Sequence, residues 1–392
     1  MNLGLPAWVY SNAEFFALER ETIFRHTPQL ICHENDIPEP GDYETFSFLD
    51  RDTFVIRADD GCIRAFYNVC RHRAHRLLGE AKGNCGNRIV CPYHAWSYSS
   101  AGDLANVPYF EDYEGMSMAD YGLVEIEHEI YQGFVFIRFE SDGRSVADWL
   151  APIAGELEHY RLPEVESITD RACYNVRANW KNGADNYIDA LHVRVAHPGL
   201  NGLLNKSYGI TAASEDVYRL EGQVKEVVGK SNLAERYQAC LPNVPHLPES
   251  HQKSWLYFLL WPNLMFNLYP DQVEFMQFLP VDESHTVIRY GTYAVPDDRP
   301  EMQEARQLNI DLNVKVGEED MSLVTSVQRG MENECFDQGP LGNNEIGLLG
   351  FADTLRQLLP VSNESTAPPA GMVSTVNDRE SGQQADSRII ID

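Results

Sequence analysis

Basic residues are scarce in this chain of 392: 31 Lys and Arg stand against 59 Asp and Glu, a formal net charge of −28 at pH 7. Phosphate recognition runs on clustered Lys and Arg, so the balance excludes nucleic acid and anionic lipid as expected partners. Cysteine is scarce too. Eight in a chain this long are too few and too scattered for a disulfide framework, and Cys32, Cys62, Cys85, Cys173, Cys240 and Cys335 show no pairing pattern. No apolar run approaches the roughly 20 residues needed to cross a bilayer, so no membrane association is expected. The opening MNLGLPAWVYSNAEFF has no basic segment ahead of an apolar one, which makes the cytoplasm the expected compartment. A G-x-G-x-x-G fingerprint is also missing, and with it the expectation of a dinucleotide site in this chain.

With 43% hydrophobic residues the chain can bury large cores in two or three domains. Between Pro38 and Leu150 the stretches YETFSF, DTFVIRA, CIRAFYNV, NRIVCPY and GFVFIRFE cluster β-branched and aromatic residues between Asp, Gly and Asn punctuation. They predict a small all-β domain over residues 39–150. Strand-like segments such as WLYFLLWPNLMFNLY, VEFMQFLPV and TVIRYGTYAV then mix with helical ones, including a long helix from about Glu301 to Gly330. That mixture predicts an α+β domain, an antiparallel sheet with helices on it, over residues 151–360. Residues 1–38, with the amphipathic NAEFFALERETIFR, are expected to pack on this second domain. The polar tail 361–392 is expected to be disordered or extended.

Chemistry is concentrated in two places. CRHRAHRL presents Cys70 and His72, and CPYHAW presents Cys91 and His94. A Cys2His2 zinc site puts its cysteines together and its histidines on a following helix. Here each half carries one Cys and one His in strand-loop sequence, an order suited to a two-iron cluster in which one iron takes both thiolates and the other both imidazoles. Arg71, Arg73 and Arg76 beside the first pair form a basic patch, either a docking rim or anchors for the loops.

The second place is NWKNGADNYIDALHVRVAHP. Read as a helix, it sets Asp185, Asp189 and His192 on one face at steps of four and three. His197 would lie about 140° off that face, so the helix has to bend or end before Pro198. Geometry alone leaves both histidines open as ordinary core or surface residues. In VKVGEEDMSLVTSVQRGM an apolar stripe runs through Val316, Leu323, Val324 and Val327, and of three adjacent acids only Asp320 falls on it, to bind a cation or to pair with an Arg.

Taken together, these residues resemble a known family. Cys70-Arg-His72, an interval of 18 residues and Cys91-Pro-Tyr-His94 followed by Ala-Trp-Ser-Tyr are similar to the Rieske motif of ring-hydroxylating and related non-haem iron oxygenases, with Ala95 where the family usually has Gly. Asp189, two residues, His192, four residues and His197 resemble that family's mononuclear-iron motif, and Asp320 stands where it has the carboxylate ligand. The resemblance runs from LPAWVYSNAEFF to about Leu359.

It implies an N-terminal Rieske domain with a [2Fe-2S] cluster on Cys70, His72, Cys91 and His94, and a C-terminal helix-grip domain with a mononuclear Fe(II) on His192, His197 and Asp320. The three iron ligands form a two-His-one-carboxylate triad that leaves positions open for O2. Asp189 would bridge a cluster His of one chain to an iron His of the next in a trimeric ring. NAD(P)H electrons would arrive through a separate flavin and iron-sulfur reductase, with or without a ferredoxin. Both a homotrimer and an assembly with a small β subunit stay open. The expected substrate is an aromatic acid or related aromatic compound; the alternative is oxidative demethylation or monooxygenation of a betaine-like quaternary amine. Trp255, Tyr257, Phe258, Trp261, Phe266 and Tyr269 could be strand core, an aromatic pocket or a cage for such a cation. A rival of another class is a plain Rieske electron carrier.

Overall fold

The computed structural model describes residues 2–141, 143–205, 208–226 and 232–389, the side chains of 383–389 aside. Two compact units divide it: Arg25–Trp149, and Met1–Phe24 together with the chain from Leu150 onward.

The first unit is all-β. Asp42–Phe48 pairs with Arg51–Arg57 and Lys82–Asn84, Ile63–Tyr67 adds to the far side of Arg51–Arg57, and three short strands, Ile89–Val90, Ser97–Tyr98 and Leu104–Asn106, make a second sheet. Glu127–Tyr131 and Phe134–Arg138 form a hairpin turned by Gln132 and Gly133, both at positive φ, as a two-residue turn between right-twisted strands requires. A side chain at Gly133 would also meet the His33 ring. Phe134–Arg138 pairs in turn with Gln29–His33. That pairing brings residues 25–38 into the all-β unit, so the expected boundary at residue 39 moves back to Arg25. Phe54, Ile56, Phe66, Leu77, Trp96 and Tyr98 build the core, in which Cys70 and Cys91 are embedded.

The second unit is an eight-stranded antiparallel sheet with helices. Its main order is Glu166–Ser167, His285–Ala294, Val273–Asp282, Leu264–Leu268, Ser254–Leu260, Val217–Gln223 and Gly209–Ala212, and Ala172–Val176 also pairs with His285–Ala294. Ser254–Leu260 and Leu264–Leu268 are buried at every position, which explains why they read as unbroken apolar runs: both faces are covered. The long helix Pro300–Met331 buries Ala305, Leu308 and Leu312 in a cluster with Trp255, Tyr257 and Tyr269 from the sheet. The N-terminal helix Ala13–Glu19 is tied to helix Trp180–Ile188: Lys181 Nζ donates to Glu19 Oε1 at 2.6 Å and Trp180 Nε1 to Glu19 Oε2 at 3.1 Å, with Glu19 and Lys181 fully buried.

The C-terminal stretch departs from expectation. A turn at Pro360–Asn363 buries Val361 and Ser362, and a helix spans Val373–Ile389. Glu14 holds its start by accepting from the Gly371 and Val373 backbone amides, at 2.7 and 3.4 Å, and Val373 and Asn377 turn inward. An acid at a helix N-terminus satisfies amides that have no partner within the helix. That acid lies more than 350 residues away, so the tail's own polar composition did not reveal it.

Candidate metal centres

Two loops of the all-β unit are backbone copies of each other. In one, Cys70 N donates to His75 O at 2.8 Å and Ala74 N to Cys70 O at 3.0 Å; in the other, Cys91 N donates to Trp96 O at 2.8 Å and Ala95 N to Cys91 O at 3.0 Å. Ala74 and Ala95 both sit at φ 57, the left-handed region that Gly occupies without strain. Ala95, the departure noted in the sequence, therefore keeps the loop's conformation and bears a strain of about 1–2 kcal/mol.

The loops bury both thiols, with Cys70 and Cys91 each 2% exposed, and set the rings of His72 and His94 4.6 Å apart at the half-buried edge. His72 stacks on Trp96 at 4.7 Å and 7°, and its Nδ1 is buried without a hydrogen-bond partner among the described residues. An orphaned buried imidazole nitrogen beside two buried thiols fits a metal group that takes the nitrogen as ligand. Burial pushes the Cys91 thiol up, so its thiolate lacks the positive counter-charge that iron would supply; burial, His94 and Arg73 hold His72 down, which favours the neutral imidazole that ligates a metal. Among the described residues these four do not form a group with ligand atoms all within 4.8 Å, as one tetrahedral ion would require. Tyr98 Oη lies 3.4 Å from Cys70 Sγ and accepts from Arg71 N at 3.0 Å. The basic patch bonds to carbonyls: Arg71 donates to Gly122 O and Arg76 to Leu78 O, while Arg73 lies 5.4 Å over the Tyr93 ring.

The second set does converge within 4.8 Å: His192, His197 and Asp320. His192 Nε2 and His197 Nε2 are 3.0 Å apart, and Asp320 Oδ1 lies 3.5 Å from the first and 2.9 Å from the second. The chain reaches this arrangement by breaking the helix earlier than its spacing suggested. Trp180–Ile188 stops before Asp189, which turns extended (φ −86, ψ 102) and accepts from Leu191 N at 2.8 Å. One turn, Val193–Ala196, then carries His192 and His197 at its ends, and Pro198 opens the next helix. Asp185 is not part of the converging group; it accepts from Tyr10 Oη at 2.6 Å, and burial pushes it up to about 7.

Each ring's other nitrogen meets an acid. His192 Nδ1 lies 3.4 Å from Asp189 Oδ2, an ion-pair distance without hydrogen-bond geometry, and His197 Nδ1 lies 2.8 Å from Glu319 Oε2. Burial opposes a charged His192, yet Asp189 and Asp320 outweigh it and push the ring up to about 9; His197 is raised likewise by Asp320 and Glu319. Burial would raise Asp320 and Asp189, but the imidazoles hold both down. Two imidazole nitrogens and one carboxylate oxygen facing inward, with acids on the outer nitrogens, are a donor set that fits a divalent metal.

Glu319 was missed in the sequence because the helix stripe placed it away from Asp320, and the stripe itself is only partly buried. Val324 is inside, whereas Leu323 and Val327 are 37% and 46% exposed. Asn186, also missed, donates Nδ2 to Asp320 Oδ1 at 2.7 Å.

A cavity of about 90 Å³ adjoins His192, His197 and Asp320. Strand register builds one wall: Tyr257 faces Asn267, Asn267 faces Glu274, and Met276 faces Tyr290. Tyr187, Tyr208 and Tyr269 complete an aromatic lining. Glu274 lies among them, accepting from Asn267 Nδ2 at 2.9 Å while Asn267 Oδ1 takes the Tyr187 hydroxyl at 2.6 Å. Burial pushes Glu274 up to about 7. Tyr257 and Tyr269 thus reach the cavity, as the cage reading allowed, and the cavity lining does not include Trp255, Phe258, Trp261 or Phe266.

The Rieske [2Fe-2S] domain model matches residues 27–121, and the model for the catalytic domain of the ring hydroxylating alpha subunit matches residues 158–360. The chain belongs to the Rieske oxygenases. It is 28% identical to the carnitine monooxygenase oxygenase subunit of Escherichia coli (strain K12), over 90% of this chain and 93% of that one. The large oxygenase component of the naphthalene 1,2-dioxygenase system of Pseudomonas putida is 35% identical over 48% of this chain and 43% of its own. Among solved structures, a quaternary ammonium Rieske monooxygenase in complex with L-carnitine matches with a TM-score of 0.76 at 27% identity, covering 91% of this chain and 95% of that one.

As a Rieske oxygenase the chain is an oxidoreductase that incorporates O2, carries a Rieske cluster and a mononuclear iron, and works with an electron-transfer partner on a small substrate. The plain-carrier rival is set aside by the catalytic-domain match. Among the described residues no helix is long and apolar enough to cross a membrane.

Proposed function

We propose that this chain is the oxygenase component that oxidises a small quaternary ammonium compound, with oxidative demethylation as its reaction. The observation that carries this choice over an aromatic acid is the cavity lining: five tyrosines and the buried carboxylate of Glu274, with no Lys or Arg among the described lining residues. Tyrosine faces attract a cation that carries no N–H donors, and one buried carboxylate balances its charge. An aromatic acid would place its own carboxylate against Glu274 with no cation between them.

In this reading Cys70, His72, Cys91 and His94 hold the cluster, and His192, His197 and Asp320 hold the iron. The bound metals supply stored electrons and O2 activation. Asn186 fixes Asp320 by its 2.7 Å hydrogen bond, and Glu319 orients the His197 ring. Asp189, at the outer nitrogen of His192, is the residue we assign to electron transfer from the cluster of a neighbouring subunit, in a homotrimer served by a flavin and iron-sulfur reductase. The thiolates of such a cluster fit a reducing cytoplasm.

The test is a panel assay with iron-loaded protein, a reductase and NADH. Carnitine, choline and glycine betaine are compared with benzoate and its hydroxylated forms for substrate-dependent O2 uptake and formaldehyde release. Uptake with formaldehyde from an amine is the expected result. Uptake driven by the aromatic acids alone would overturn the substrate assignment and leave the oxygenase class intact.

A further inference from the structure

The second unit contains a larger cavity, of about 230 Å³, away from the iron ligands. Its lining shares only Tyr269 with the lining of the tyrosine cavity. The turn between strands Leu264–Leu268 and Val273–Asp282 forms one side, Val244–His246 another, and the start of the long helix a third.

Two buried polar side chains there have unspent bonding capacity. Gln272 is 3% exposed, and neither Nε2 nor Oε1 of its carboxamide has a hydrogen-bond partner among the described residues. A buried amide left this way costs free energy that a bound polar group would recover. Arg306 is 7% exposed and donates Nε to Asp271 O at 3.0 Å and Nη2 to Val295 O at 2.7 Å. Both acceptors are neutral carbonyls, so among the described residues no carboxylate is bonded to this buried guanidinium.

The nearby acids Asp271 and Asp297 act on Arg306 through charge, but their own hydrogen bonds go to other groups. Asp271 accepts from Tyr237 Oη at 2.6 Å and Asn309 Nδ2 at 3.0 Å, and Asp297 is gripped by Arg299 at 2.7 Å. Arg161, which also lines the cavity, is already held by Glu164. Tyr160 adds a third buried group, a hydroxyl without a partner among the described residues.

We propose that this cavity is a second, non-catalytic binding site for a small carboxylate with a hydroxyl on the adjoining carbon. The carboxylate answers Arg306 and the Gln272 and Tyr160 donors; the ligand's hydroxyl donates to Gln272 Oε1. A guanidinium prefers a planar oxyanion that it can meet with parallel N–H groups, which favours a carboxylate over a neutral carbonyl. The site does not depend on the identity of the oxygenase substrate.

The probe is lactate, with lactamide as its uncharged counterpart, titrated into the metal-loaded protein and followed by calorimetry and ligand-observed NMR. Lactate should bind at least tenfold more tightly than lactamide. Gln272→Leu nearly keeps the volume and breaks no existing side-chain hydrogen bond, so it should raise the melting temperature of the ligand-free protein. The same variant should weaken lactate at least tenfold. Arg306→Gln should abolish the preference for lactate over lactamide.

Absence of lactate binding to the wild-type protein would overturn the proposal, leaving a cavity filled by water alone. Equal affinity for lactamide would overturn the carboxylate assignment. Unchanged lactate affinity in a folded Gln272→Leu protein would show that lactate binds elsewhere.

Discussion

Cys70, His72, Cys91 and His94 come from two short loops with the same backbone hydrogen bonds, while His192, His197 and Asp320 come from a broken helix and a long helix whose contacting residues, Asn186 and Asp320, are 134 positions apart. The first set is local and embedded in a small β core. Each loop fixes its own Cys through two backbone bonds, so a pair forms once its loop forms. The second set exists only when the sheet has brought the long helix against helix Trp180–Ile188. Its residues carry more electrostatic conflict as a result: two imidazoles and three acids share one site, and burial opposes the charge on each of the ligands. On the proposed assignment, local ligands are expected to make a cluster that survives changes at the iron site, and distant ligands an iron site sensitive to each neighbour.

The largest expected effect tests that independence. Asp320→Ala or His192→Ala should lower the iron content from about three to about two per chain and reduce turnover by at least 100-fold, with the cluster's visible absorption unchanged. Glu318→Ala, at an exposed position, should leave both metals and turnover intact. Loss of cluster absorption in Asp320→Ala would mean that the two sets are not independent.

Next comes the link between them. Asp189→Asn nearly preserves volume but removes the charge facing His192 Nδ1, and should keep both metals while turnover drops 10- to 100-fold. Cluster reduction by the reductase stays normal in the expected case. Co-assembling a Cys70→Ala chain with a His192→Ala chain should restore part of the activity; none, with co-assembly verified, would place the transfer within one subunit.

Glu274 sharpens the comparison through pH. Its carboxyl is raised to about 7, so it is mostly neutral below that pH and charged above it. Affinity for a quaternary ammonium substrate should therefore be lost as pH falls through 7, with KM rising up to about tenfold per pH unit. In Glu274→Gln the KM should be high and flat from pH 6 to 8; a pH slope that survives the substitution would assign it to another group. Glu319→Gln follows, with iron affinity about tenfold weaker in a chelator competition because His197 Nδ1 loses a charged acceptor.

Smallest is Ala95→Gly in the cluster loop. Relief at φ 57, partly offset by the greater freedom of Gly in the unfolded chain, should stabilise the all-β unit by roughly 0.5–1 kcal/mol in denaturant melts. A loss of stability would show that the Ala95 methyl packs usefully despite its backbone.

By itself the sequence determined the domain types and the cluster loops, because ligand spacing within one loop is a local property and β-branched runs between turns need no distant partner to be read. His192, His197 and Asp320 stood out through their resemblance to the family's iron motif, since spacing alone left both histidines open. The tertiary structure alone decided which acid meets which nitrogen: Glu319 lies one residue from Asp320, and helix phase by itself pointed it away. Likewise, only antiparallel register could place Tyr257, Asn267, Glu274 and Tyr290 on one wall, since facing residues on different strands have no fixed separation in sequence. The C-terminal helix needed Glu14, from the opposite end of the chain, to hold its first turn. A backbone amide left without a partner is satisfied by whatever the fold brings near, and nearness of that kind is not written in any local pattern.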